Sequence, residues 1–392
     1  MIQGISLLRN YPTDPACGRV LNVFFNFNVL INCDSAIFMR DAQNPVRLFD
    51  GQSVYQDRPA HAALVWTIGS FLKLVGFPNQ AREIIGNSGV ATTYESVFYI
   101  SFLLINTIIL YAAVFLALQY VTKDNSKSNK NNSFNVKAIT LLIVTANELT
   151  KTFFWTPHSQ MFNVLLPVLA LSMICNRNRI NSLKSFIFSI LLVFGLMFFY
   201  PIFGILFSIL LFARYANLLR RFGFLLIFTI LYLLYSKIIS LIGGTFSNFQ
   251  KDHYRQYVWV IDSIVQGDLQ EKLIANIRLF FSTFPLFPSI LVGLTVGFLG
   301  YVCARSRRTT LEFKSNLLPY LFFLLLYIIT LALMGFYSRR LTLGVYIYIE
   351  LLLLKNSASI LNDRYRITWY LATSMLILTL IGSWVWTNGP LA

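Results

Sequence analysis

The sequence predicts an all-α polytopic membrane protein, a bundle of about 11 transmembrane helices with one further helix along its outer surface, forming a single domain over residues 1–392. Three observations predict it. Hydrophobic residues make up 56% of the chain and charged residues only 12%. That is about half the charged share of an ordinary soluble domain, too little to cover a surface facing water. Apolar runs approaching the roughly 20 residues needed to cross a hydrocarbon core recur along the chain. The basic residues between those runs fall on one side once the runs are threaded through a bilayer.

The first run, 17–33, is rich in Phe and Asn and is the weakest. The others are 96–121, 138–155, 160–175, 184–199, 201–214, 222–243, 285–304, 317–336, 341–354 and 367–386. Tyr200-Pro201 divides a stretch too long for one helix, because proline suits a tight turn and interrupts a helix interior. Residues 60–77 are also apolar. Were they to cross, the Lys-rich segment 122–137 would lie opposite the amino terminus, against the positive-inside bias. They are therefore placed along the outer interface.

Every basic loop then falls inside with the amino terminus, and the carboxyl terminus lies outside. These loops are 122–137 (Lys123, Lys127, Lys130, Lys137), 176–184 (Arg177, Arg179, Lys184), 214–221 (Arg214, Arg220, Arg221), 305–314 (Arg305, Arg307, Arg308, Lys314) and 355–366 (Lys355, Arg364, Arg366). The excess of 32 Lys and Arg over 16 Asp and Glu thus orients the chain. No motif that reads nucleic acid accompanies it, so nucleic acid is not expected as a partner. Cys17, Cys33, Cys175 and Cys303 are singletons without metal-ligand spacing, so neither a zinc site nor a disulfide framework is indicated. The first fifteen residues lack the apolar core of a signal peptide, and no internal repeat of the transporter kind is visible. Two outer segments are long, 34–95 and 244–284. The second holds Tyr254, Tyr257, Trp259, Ile261, Ile264 and Val265 at mixed spacing, as in a partly buried amphipathic segment.

Polar residues at the outer ends of the spans are the candidates for chemistry. Acids cluster after the first run at Asp34, Asp41, Asp50 and Asp57. A helix continuing outward would place Asp34 and Asp41 on one face about 10 Å apart. Asp41 and Asp50 read equally well as carboxylates that solvate a loop. Glu148 and Lys151 are three apart and share a face. The turn Trp155-Thr156-Pro157-His158-Ser159 follows, with Trp155 as an interfacial anchor and His158 as either a hydrogen-bonded structural residue or a contact to substrate. Tyr337-Ser338-Arg339-Arg340 puts paired arginines on the side that orientation disfavours. Guanidinium forks fit phosphate oxygens bidentately, and lipid phosphates sit at that depth. The candidate set for binding substrate or lipid phosphate is Arg58, Arg339, Arg340, His158, Lys151, Tyr55 and Asp57.

An acidic residue after the first span (Asp34), then Arg58-Pro59-Ala60-His61-Ala62-Ala63-Leu64-Val65-Trp66 opening an apolar helix, then Val75-Gly76-Phe77 to Ala81-Arg82 and a long span at 96–121, resembles the GT-C superfamily of membrane glycosyltransferases. The layout is similar to that of protein mannosyltransferases and the lipid A aminoarabinose transferase. The chain departs from the commonest pattern in having Asp34-Ser35 for Asp-Glu and Arg-Pro-Ala for Pro-Pro-Leu. The resemblance implies transfer of a sugar, with inversion, from a polyprenyl-phosphate donor to a glycan, lipid or protein acceptor at the outer face of a bacterial plasma membrane. It implies that Asp34 is the general base and that Arg339 and Arg340 hold the departing phosphate. The outer acids form no convincing metal-ligand set, although a divalent cation is compatible with such chemistry. Two other readings compete. One is a transporter or lipid flippase with a charged pathway through Glu148, Lys151, Lys237 and Glu350, since intramembrane charges mark such pathways. The other is a polysaccharide polymerase or ligase.

Overall fold

The structure, a computed structural model, describes residues 19–24, 27–31, 33–49, 56, 58–85, 91–123, 130–215, 217–234, 263–283, 311–333 and 339–360. Helix dominates them, as expected of an all-α protein, and the four strands form two separate antiparallel hairpins. β1 (Arg19–Phe24) and β2 (Phe27–Ile31) pair with Arg19 opposite Ile31 and Asn22 opposite Asn28. This corrects the helical span expected over 17–33. Leu21, Val23, Phe27, Val29 and Ile31 share one parity while Asn22 and Asn28 take the other. That period of two, in a β-branched and aromatic sequence, fits a strand better than a helix.

α1 (Cys33–Gln43), a 3-10 turn (Pro45–Phe49) and α2 (Pro59–Leu74) follow. Pro59 sits in the first turn of α2, where a missing N–H costs nothing. α2 is the helix expected over 60–77. Its buried stripe is His61, Ala62, Val65 and Gly69, one face at helical spacing, whereas Leu64, Trp66, Phe71 and Leu74 are exposed. Gly69 seats α2 on the next helix, for a Cβ there would lie 2.5 Å from Cδ1 of Phe98. Gly69→Val is expected to lift α2 from this seat at a cost of about 1–3 kcal/mol. The loss should appear as a lower thermal midpoint in detergent, and an unchanged midpoint would refute the seating. The hairpin β3 (Ala81–Ile85) with β4 (Ala91–Glu95) then leads into α3 (Ser96–Thr122). Lys73 pairs with Glu95 at 2.8 Å, tying the tail of α2 to the start of α3.

The bundle continues with α4 (Lys130–Thr145), α5 (Glu148–Phe153), α6 (Phe162–Asn176), α7 (Leu183–Met197), α8 (Phe207–Leu210), α9 (Leu218–Leu233), α10 (Leu269–Thr283), α11 (Leu311–Leu333) and α12 (Arg339–Ile360). Two expected spans are corrected. The run 138–155 breaks at Asn147. Its amide donates to the carbonyls of Ile143 and Val144 at 3.0 and 2.7 Å, and its Oδ1 accepts from the N–H of Thr150 at 2.9 Å. One residue thus closes α4 and caps α5. The run 201–214 is a 3-10 segment (Pro201–Leu206) followed by the short α8, and Arg221 caps its end by donating to the carbonyls of Leu211 and Ala213. Among the described residues two helical stretches, Ser96–Thr122 and Ser159–Arg179, are long and apolar enough to cross a membrane. The runs 285–304 and 367–386 lie outside the described residues, as does the aromatic segment 254–261. α10 occupies the later part of the second long segment.

The helices carry exposed apolar residues at helical spacing. Leu104, Ile108, Tyr111 and Phe115 form such a stripe on α3, and Leu318, Leu321, Leu325 and Ile329 form one on α11. Contiguous apolar surface of this kind marks contact with lipid or another protein rather than water. The buried face of α3 is Phe102, Ile105, Ile109, Ala113 and Ala117.

Bases gather at one end of the bundle. Lys123 donates to the carbonyl of Cys175 at 3.1 Å and to Oδ1 of Asn176 at 2.8 Å. Arg177 donates to the carbonyl of Ile174 at 3.0 Å. Lys355 reaches Sγ of Cys175 at 3.3 Å and lies 4.5 Å from the centre of the Tyr120 ring. The N–H of Tyr215 donates to the carbonyl of Ile180 at 3.1 Å, joining the turn after α8 to the turn after α6. Residues from four of the five loops expected on the inner side therefore meet at one end.

Candidate functional site

At the opposite end three turns converge on Arg58. Arg58 caps the start of α2 without a side-chain capping bond, so its guanidinium extends to the neighbouring turns. Nη1 donates to Oγ of Ser159 at 2.7 Å, and the guanidinium lies 5.0 Å from the centre of the Tyr200 ring. Tyr200 in turn donates to Oε1 of Gln160 at 3.3 Å, and the same oxygen accepts from Asn163. The N–H of Ala60 donates to the carbonyl of Phe198 at 3.2 Å. The head of α2, the turn 158–163 and the turn 198–201 are thereby held as a unit.

The turn 153–158 is packed onto α3 by polar contacts. Nδ2 of Asn106 donates to the carbonyls of Phe153, Phe154 and Thr156 at 3.0–3.3 Å, and the hydroxyl of Tyr99 donates to the carbonyl of Trp155 at 2.7 Å. Buried carbonyls outside a helix need such donors. Their bonds explain how an irregular turn carrying Pro157 stays buried.

Two histidines face this cluster through a shared ring. Phe38 of α1 lies 4.5 Å from the ring of His158 and 6.0 Å from that of His61. Phe102 and Phe162 flank His61 at 5.4 and 5.6 Å. Nδ1 of His158 accepts from the N–H of Gln160 at 3.1 Å, so the proton of the neutral ring sits on Nε2. Nε2 of His61 is buried without a hydrogen-bond partner among the described residues. Burial, then the positive charge of Arg58, then His158, push the His61 imidazole down to about 3. It is neutral at physiological pH.

That shift has a defined effect on stability. His61 favours its neutral form in the folded chain, and an unfolded histidine takes up a proton near pH 6.5. Between pH 6.5 and about 3 the unfolded state holds the extra proton, so acid destabilises the fold by up to about 1.4 kcal/mol per pH unit. The stabilisation is complete above that window. His61→Leu should flatten the fall of the thermal midpoint between pH 6.5 and 4.5. An acid slope identical to the parent's would show that His61 does not contribute.

Asp34 lies in the first turn of α1, the helix expected to continue outward past it. It is four residues before Phe38. Asp41 is 1% exposed and pairs with Arg40 at 3.3 Å, which removes it from the solvating role open to it in the sequence. Lys151 lies in α5, two residues before Phe153, whose ring is 5.4 Å from His158. Arg339 and Arg340 open α12. One turn later a Cβ on Gly344 would lie 3.0 Å from the carbonyl oxygen of Asn163, which puts the start of α12 beside the start of α6 and at this same end. Tyr55 and Asp57 lie outside the described residues.

His61, Ser159, Gln160 and Tyr200 were not among the residues expected from the sequence. His61 is three residues after Arg58 and on the same helical face, a cue present in the sequence. The others come together only through tertiary packing. The cluster offers a fixed positive fork beside hydroxyl and amide groups in an aromatic surround, suited to an anionic oxygen group. Among the described residues no three metal-ligating side chains come together. No family model, curated protein or solved structure matches this chain.

Proposed function

We propose that this chain is a polytopic membrane glycosyltransferase that takes a sugar from a polyprenyl-phosphate carrier and transfers it to an acceptor at the outer face of a bacterial plasma membrane. The observation that carries the reading is the position of Arg58. The residue that opens the Arg-Pro helix is locked to Ser159 and Tyr200 at the end of the bundle opposite Lys123, Arg177 and Lys355. Under the positive-inside bias the basic end is cytoplasmic, and the Arg58 end then faces outward. About ten spans remain part of the proposal, with 17–33 as a hairpin.

The chemistry needs a base within about 2.6–3.2 Å of the acceptor hydroxyl. Asp34 takes that proton as the hydroxyl oxygen attacks the anomeric carbon. The bond from that carbon to the phosphate oxygen breaks, and polyprenyl phosphate leaves with the electron pair. Arg58, Arg339 and Arg340 stabilise its charge, which grows in the transition state and is best met by donors already in place. The arrangement requires no metal ligand from the chain.

The purified protein should release carrier phosphate from at least one of a panel of polyprenyl-phosphate sugars when given an extract containing acceptor. Mass analysis should find a single sugar on the product. A polymer or a transferred block would favour a polymerase or ligase instead. The break at Asn147, beside Glu148 and Lys151, and the buried Glu350 of α12 give the transporter reading structural support, because interrupted helices line many transport sites and intramembrane charges mark them. Uptake of an unmodified substrate into sealed vesicles would favour that alternative.

A further inference from the structure

The chemistry of the basic end is independent of what the Arg58 end catalyses. No Asp or Glu occurs between Glu148 and Asp252, so the two basic turns within that interval have no acidic sequence neighbour. Those turns are adjacent, joined by the 3.1 Å bond from the N–H of Tyr215 to the carbonyl of Ile180. Arg177 and Arg221 point back onto helix carbonyls. Arg179, Lys184, Arg214 and Arg220 are exposed, and among the described residues none of the four pairs with a carboxylate. Directly beside them the surface is apolar. Leu183 is 44% exposed, Leu218 59%, Leu219 79% and Phe222 55%.

This pairing of unneutralised cations with exposed aliphatic and aromatic side chains has an amphipathic complement, a molecule with a negative head and apolar tails. A soluble anion leaves Leu218, Leu219 and Phe222 uncovered, and a neutral lipid leaves four charges unanswered. We propose that the joined turns after α6 and α8 form a binding site for an anionic phospholipid of the inner leaflet. Its phosphate lies among Arg179, Lys184, Arg214 and Arg220, and its acyl chains run along the first turns of α7 and α9.

Native mass spectrometry of the full chain in a neutral detergent, titrated with phosphatidylglycerol and with phosphatidylcholine, tests this. The anionic lipid should bind about tenfold tighter or better, since each base near an anionic surface contributes roughly fivefold. Replacing Arg179, Lys184, Arg214 and Arg220 together with glutamine should erase the preference. Should that variant fail to fold, Arg214→Gln and Arg220→Gln alone should each weaken the anionic lipid by about fivefold. A control with Lys127, Lys130 and Lys137 changed to glutamine should keep the preference. Equal loss in the control would make the effect one of net charge and overturn the site. So would full displacement of the lipid by millimolar inorganic phosphate, which would mark a site for a free anion, and so would equal affinity for the two lipids.

Discussion

Asp34→Asn is expected to lower sugar transfer by about 10²–10⁴-fold, the range that a positioned general base supplies, while leaving the thermal midpoint and helix content unchanged. Asparagine keeps the size and shape of the side chain and removes only its capacity to take a proton, so the loss should appear in kcat with little change in the affinity for the donor. The position of Asp34 supports this outcome. It lies in the first turn of α1, four residues before Phe38, whose ring meets both histidine rings. A glutamate at the same position should recover part of the activity, because it restores the base but displaces it by one methylene. Full activity in the asparagine variant would remove Asp34 from the reaction.

The second large effect is expected at Arg58. Arg58→Ala deletes the 2.7 Å bond to Ser159 and the stacking over Tyr200. A hydrogen bond to a charged group contributes about 1.5–3 kcal/mol, so the thermal midpoint should fall measurably. Transfer should fall by at least about 10²-fold, since a displacement of about 1 Å at a reacting centre costs that much. Lysine should rescue little, because a point charge on a flexible stem reproduces neither the planar fork nor the stacking. An alanine variant with the parent's stability and the parent's rate would dissolve the cluster as a functional unit.

Much of this arrangement was legible from the sequence. Pro59 and the apolar stripe after it define α2, and the basic loops sort the helix ends into two groups that the structure keeps apart. Arg58 and His158 were identifiable because each is a polar residue beside an apolar run. The misreadings have local causes. Over 17–33 mean hydropathy outweighed the alternation of Asn with apolar residues, which is the signature of a strand. At Asn147 a single side chain satisfies three backbone groups, and an apolar window of span length averages over it. The convergence of Ser159, Gln160 and Tyr200 on Arg58 depends on how the turns dock. The spacing between residue 58 and residue 159 carries no trace of that docking.

α2 is fixed at three points. Its head is bonded to the turns at 159 and 198, its middle is wedged at Gly69 against Phe98, and its tail is paired through Lys73 to Glu95. A strut held at both ends and in the middle has no free rotation, and the Gly69 contact leaves no slack for sliding. Swinging α2 aside would therefore break all three attachments at once. α1 and the 3-10 turn after it pack beside α2, with Phe38, Met39, Ala42 and Leu48 buried. Their contacts include the rings around Phe38 and the bond from Gln56 to the carbonyl of Leu48. In mechanical terms α2 is a stationary floor on which the Arg58 cluster rests.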